Sequence, residues 1–100
     1  MDESEYQKRA DEALRHVEDL LKDVDSEDVD EERSGDVLTL TFRSGKKAVL
    51  NTQRPTRQIW VAANARAWHF KFDPAARAWV DDKGQGIELF QQVAAIVKDG

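Results

Sequence analysis

Residues 37 to 42, VLTLTF, alternate without interruption: Leu38, Leu40 and Phe42 fall on one side of an extended chain, and Val37, Thr39 and Thr41 on the other. A period of two cannot gather apolar residues on one face of a helix, so this segment is restricted to a strand with one buried face. Its surroundings must therefore supply strands to pair with and a layer to cover that face. Ser34-Gly35-Asp36 and Arg43-Ser44-Gly45 are turn chemistry, which predicts partner strands at 28–33 and 46–51. QIWVAA (58–63) and AWHFKF (67–72) continue the pattern through a short segment containing Asn64, and Asp73-Pro74 turns the chain into RAWVD (77–81). An antiparallel meander of five or six strands is expected.

The covering layer is written at the two ends. Ser4 followed by Gln7 has capping-box spacing, and Tyr6, Ala10, Ala13, Leu14, Val17, Leu20, Leu21 and Val24 recur at helical intervals, predicting a helix over residues 5–23. DDKGQG (81–86) breaks the sheet, and Ile87, Phe90, Val93, Ala94 and Val97 predict a second amphipathic helix running to the end. One hundred residues, 40% hydrophobic, suit a single domain spanning 1–100. Helix, strands, helix gives an α+β class: a two-layer αβ sandwich with both helices on one sheet face and the other face open. Strand parity then sends Ile59 and Val61 inward with Leu50, and Gln58 and Trp60 outward on the side of Asn51.

Charge is distributed unevenly over this plan. Residues 1–32 hold 14 acids against 4 bases, and residues 33–100 hold 6 against 11. The densest part, EDLLKDVDSEDVDEE (18–32), places Glu18, Asp19 and Asp23 of the helix near Asp25, Glu27, Asp28, Asp30 and Glu32 of the following loop and strand. Such a run is ordinarily a solvated face. At this density it is also a set of hard oxygen donors for a cation that tolerates variable coordination, such as Fe²⁺, Mn²⁺ or Ca²⁺, at several weak sites rather than one cage. It is not an EF-hand: counting from Asp23, Asp28 stands where glycine is required and Ser34 where the bidentate glutamate is required. His16, between Glu12 and Asp19, makes no dedicated triad on an exposed helix beside Arg15. Phosphates would be repelled here, so no nucleic-acid partner is expected. The chain has no cysteine, an acidic start, and a longest apolar run of only IWVAA, so neither thiolate chemistry nor a membrane span is expected, and the chain reads as cytoplasmic.

Trp60 on a polar sheet face has the makeup of an interaction hot spot, and equally of a cross-strand shield. Asn51 and Gln53 bracket NTQRP and serve either as contacts or as turn residues ahead of Pro55. His69 alternates with Trp68 and Phe70 and so faces the open side with Lys71, as a candidate partner contact. No nucleophile with an orienting base is evident, so binding rather than catalysis is expected.

These residues carry a resemblance. LNTQRPTRQIW (50–60), preceded by VLTLTF and followed by His69-Phe70 and Trp79, closely resembles the frataxin family in its bacterial, CyaY-type form, over essentially the whole chain. Its most specific part is the N-x-Q-x-P-x-x-Q-[IV]-W run, here Asn51, Gln53, Pro55, Gln58, Ile59 and Trp60. The resemblance implies an acidic ridge that binds iron weakly and docks a basic surface of cysteine desulfurase. It also implies a sheet face, at Asn51, Gln53, Gln58 and Trp60 with His69 nearby, that contacts the iron–sulfur scaffold protein and adjoining desulfurase elements. Lys22 interrupts the ridge where an acid is common, and NARAW stands where a glycine pair is frequent. The expected function is iron-responsive regulation of sulfur transfer in iron–sulfur cluster assembly, by a monomer with iron-dependent oligomers as the alternative. A rival reading is a ferroxidase or iron store using the surface carboxylates. Another is an acidic mimic that blocks a nucleic-acid-binding protein, which accounts for the acids but not for Trp60.

Overall fold

The computed structural model describes residues 1–100. Helix α1 (Glu3–Leu20) is followed by strands β1 (Val29–Ser34), β2 (Val37–Phe42), β3 (Lys47–Gln53), β4 (Gln58–Ala63), β5 (Arg66–Asp73) and β6 (Ala78–Asp81), then helix α2 (Leu89–Asp99). The strands form one six-stranded sheet in sequence order, every neighbouring pair antiparallel. No helix is long and apolar enough to cross a membrane.

The α1 cap lies earlier in the chain than the Ser4 spacing predicts. Asp2 is the N-cap, its side chain accepting from the Glu5 N–H at 2.7 Å. Asp2 stands the same three residues before Glu5 as Ser4 before Gln7, and its charge complements the positive end of the helix, as Ser4 cannot. The helix also ends at Leu20 rather than residue 23, with no basic residue in its last turn. Asp19 and Asp23 meet the negative end of the helix dipole there, so further turns gain little. The Asp25 side chain instead closes a turn by accepting from the Glu27 N–H at 2.9 Å.

Both helices cover the same sheet face. Tyr6, Leu14 and Val17 of α1 and Leu89, Val93 and Ile96 of α2 are buried against Leu38, Leu40, Leu50, Ile59, Val61, Phe70 and Trp79. Tyr6 is fully enclosed, its ring edge-on to Trp79 at 6.1 Å, and its hydroxyl donates to the Gln58 carbonyl at 2.6 Å. That bond ties α1 to the start of β4. His16 packs its ring on Phe90 of α2 at 4.3 Å, so it serves the helix–helix contact.

The hairpins set the register. Between β4 and β5 the chain turns on two residues, Asn64 and Ala65, both with positive φ (54° and 61°). That is the primed turn which matches strand twist, with alanine at a place glycine fills without strain. The tight turn fixes Trp60 opposite His69.

Candidate functional site

β4 carries the centre of the open face. Trp60 is registered with Asn51 on β3 and with His69 on β5, and Gln53 lies opposite Gln58. All five residues expected to bind a partner therefore share one face of three adjacent strands. The alternative of Trp60 as a purely packed side chain is only half true, because one ring face is covered and the residue stays partly exposed. His69 stacks on it, ring centroids 4.2 Å apart and planes 14° from parallel. The indole Nε1 donates to Gln58 Oε1 at 2.8 Å, and Gln58 Nε2 donates in turn to Asp82 Oδ2 at 3.2 Å. The same Asp82 oxygen lies 3.6 Å from His69 Nδ1. With its one donor engaged on its own sheet, Trp60 offers a visitor a flat apolar surface, flanked by the amides of Asn51, Gln53 and Gln58.

Asp82 was not legible as part of this face. Asp81 and Asp82 are adjacent, and strand alternation sends them opposite ways. Asp81 is buried at 5% exposure, its two carboxylate oxygens accepting from Gln85 N and Ile87 N, both at 2.9 Å. Those backbone hydrogen bonds hold its carboxyl below the usual range. Asp82 turns outward, and its N–H donates to the His69 carbonyl at 2.9 Å. The doubled acid at a strand end was the available signal.

The acidic residues do not converge. No three histidine or acidic side chains come together in an arrangement that holds a metal ion. Several are already engaged: Glu18 with Arg33 at 3.1 Å, Asp19 with Lys22 at 3.0 Å, and Asp28 and Glu27 with Arg43 at 3.0 and 3.6 Å. Asp25 closes its turn. Asp23 makes no ion pair, and neither do Asp30 and Glu32, which are registered with Thr41 and Thr39 and so project from the open face, away from Glu18. The expected grouping of helix acids with these two strand acids is thus divided by the sheet. Asp30 and Glu32 share a face with Trp60, about 14 Å away across three strand spacings and further offset along the strands. As a donor set, these exposed carboxylates fit loose capture of a hard cation by one or two groups at a time, and not a closed site.

Arg33 organises the helix side of the ridge. It points to the helix side of β1, pairs with Asp11 and Glu18 of α1, and is three-quarters shielded from solvent. The Arg33 hydrogen bond holds the Asp11 carboxyl below its usual range. Glu31, on the same side, has the opposite fate: burial first, then Glu18 and Asp30, push its carboxyl up. A carboxyl raised by folding destabilises the fold while ionised, and this penalty disappears as pH falls below about 4.3. Glu31→Gln should therefore raise the urea midpoint at pH 7, with the gain vanishing toward pH 4. An equal gain at both pH values would assign the effect to something other than charge.

A family model described as a frataxin-like domain matches residues 1–99. Among curated proteins, the iron-sulfur cluster assembly protein CyaY of Variovorax paradoxus is 38% identical over 93 residues, covering 90% of this chain and 82% of the relative. The protein of that name from Paraburkholderia xenovorans is 43% identical over 90 residues, with the same two coverages. Among solved structures, frataxin from Psychromonas ingrahamii superposes with a TM-score of 0.85 at 32% identity, covering 100% of this chain and 92% of its own. Trimeric frataxin from Saccharomyces cerevisiae, complexed with ferrous iron, gives a TM-score of 0.77 at 27% identity, covering 91% and 83%. The six-stranded meander under two helices, the open tryptophan face and these likenesses agree: the chain belongs to the frataxin family.

Proposed function

We propose that this chain is a non-enzymatic binding protein of iron–sulfur cluster assembly, acting in the bacterial cytoplasm as a regulator of cysteine desulfurase. The open face at Asn51, Gln53, Gln58, Trp60 and His69 docks the desulfurase–scaffold complex, and the acids at 18–32 take up iron loosely and steer the chain onto a basic surface. The observation that carries this reading is Trp60 partly exposed on the open face with its donor engaged by Gln58. Large aromatic area with neighbouring amides, ordered before the partner arrives, is what a docking hot spot requires. The names of the bacterial relatives support the pathway, and the ferrous complex of the yeast structure supports iron as cargo. A ferroxidase draws no support from the ridge, since a di-iron centre gathers several carboxylates around one metal pair and here no three converge.

Co-purification with a desulfurase and scaffold pair, with desulfurase activity followed at several iron levels, tests the reading directly. Salt separates its two halves. The reach of exposed charges falls from about 8 Å at physiological ionic strength to about 3 Å at 1 M. Association should slow markedly between those conditions while the Trp60 contact persists. Binding that keeps its full rate in ~1 M salt would remove the steering role of the ridge.

A further inference from the structure

The geometry points to Asp82 as a positioning residue that latches the docking face: its carboxylate fixes Gln58, and through it holds the Trp60 indole in its docking orientation against His69. This rests on the reading that the Trp60 face binds a partner. Two neighbours hold the indole, the His69 ring stacked on it at 4.2 Å and the Gln58 oxygen at 2.8 Å. Gln58 is a flexible side chain that holds nothing unless it is itself held, and its amide nitrogen reaches Asp82 Oδ2 at 3.2 Å. The same oxygen stands 3.6 Å from His69 Nδ1. One atom therefore bonds one holder and lies beside the other.

Asp82 is well placed for this because its own position is fixed twice. Its N–H donates to the His69 carbonyl, extending the β5–β6 ladder by one residue. Its neighbour Asp81 is buried and clamps the loop through Gln85 N and Ile87 N, while Asp81 N donates to the Ile87 carbonyl at 2.9 Å. The carboxylate thus projects from a rigid root onto the open face, with its side chain 30% exposed. An indole ordered in advance spares the complex the cost of immobilising it. That saving is about threefold to tenfold in affinity for one large side chain.

The test uses the full-length chain, nitrogen-15 labelled, and the desulfurase–scaffold pair. The indole N–H signal of Trp60 is assigned by its loss in Trp60→Phe. In Asp82→Ala the melting temperature should stay within a few degrees, while that signal shifts and exchanges faster with water. Affinity for the pair should fall by about threefold to tenfold. Asp82→Asn, which still presents an oxygen to Gln58, should recover most of both effects, and Asp82→Ala should add nothing in a Gln58→Ala background. An unchanged indole signal in Asp82→Ala overturns the latch. A loosened indole with undiminished affinity, where Trp60→Arg abolishes binding, overturns its role in docking. Should Trp60→Arg itself leave binding intact, the docking reading fails instead, and the indole signal still judges the latch.

Discussion

Replacing Trp60 with arginine should abolish capture of the desulfurase–scaffold pair while leaving the thermal midpoint nearly unchanged. The residue lies outside the buried core, on a face no helix covers, so its loss opens no cavity. Central aromatic anchors cost about 2–4 kcal/mol on truncation, which is roughly a 30- to 1,000-fold loss of affinity. Arginine adds to that by setting a cation over His69 and in the neighbourhood of Lys71, where the partner expects a flat apolar ring. Isothermal titration against the pair, with circular-dichroism melts of both proteins, reads the two quantities separately. Trp60→Phe keeps the ring but loses the bond to Gln58 and should fall between them. The acidic-mimic reading expects little change from either variant, and that result would sink the docking face.

The second large effect lies in the core. Tyr6→Ala removes a fully enclosed ring that contacts Trp79 and leaves the Gln58 carbonyl without its donor. Large aromatic truncations cost about 3–5 kcal/mol, and the lost hydrogen bond to the part-buried Gln58 carbonyl adds about 1. A domain of this size has only about 5–15 kcal/mol to lose. Tyr6→Ala should be largely unfolded at 37 °C, as a urea titration followed by fluorescence would show. Tyr6→Phe retains the ring and should lose about 1 kcal/mol. Burial pushes the Tyr6 hydroxyl above its usual value. A folded value above the unfolded one means that this group's contribution is complete below about pH 10 and is lost as pH rises through the folded value. The alkaline decline in stability should be shallower in Tyr6→Phe. Matching declines would place the ionisation that matters elsewhere.

Much of this architecture could be read residue by residue, and the reason is locality. VLTLTF and QIWVAA form strands with the bounds their alternation predicts, because a period of two is complete within six residues. The faces follow from the same parity, which puts Trp60, Gln58, Asn51 and His69 on one side of the sheet. The α1 cap was ambiguous because Asp2-Glu5 and Ser4-Gln7 offer the same spacing, and only the helix dipole separates them. The acids were countable in the sequence, but their destinations were not. Glu18 is claimed by Arg33, 15 residues on, and Asp28 by Arg43, and such pairings exist only once strands lie side by side. Asp82 is the same case, because its neighbours Gln58 and His69 come from two other strands, joined only by the fold.

β1 lies at the margin of the sheet, with β2 on one side and no strand on the other. At the opposite margin, β6 is only four residues long and is bridged at Val80 by Glu88. β1 thus offers the longer row of free backbone groups, the usual starting point for sheets to grow from molecule to molecule. Asp30, Glu31 and Glu32 sit in the middle of that row, and two copies meeting there would bring six negative charges within a few ångströms. These carboxylates oppose edge-to-edge pairing of two copies, and whatever neutralises them loosens that restraint.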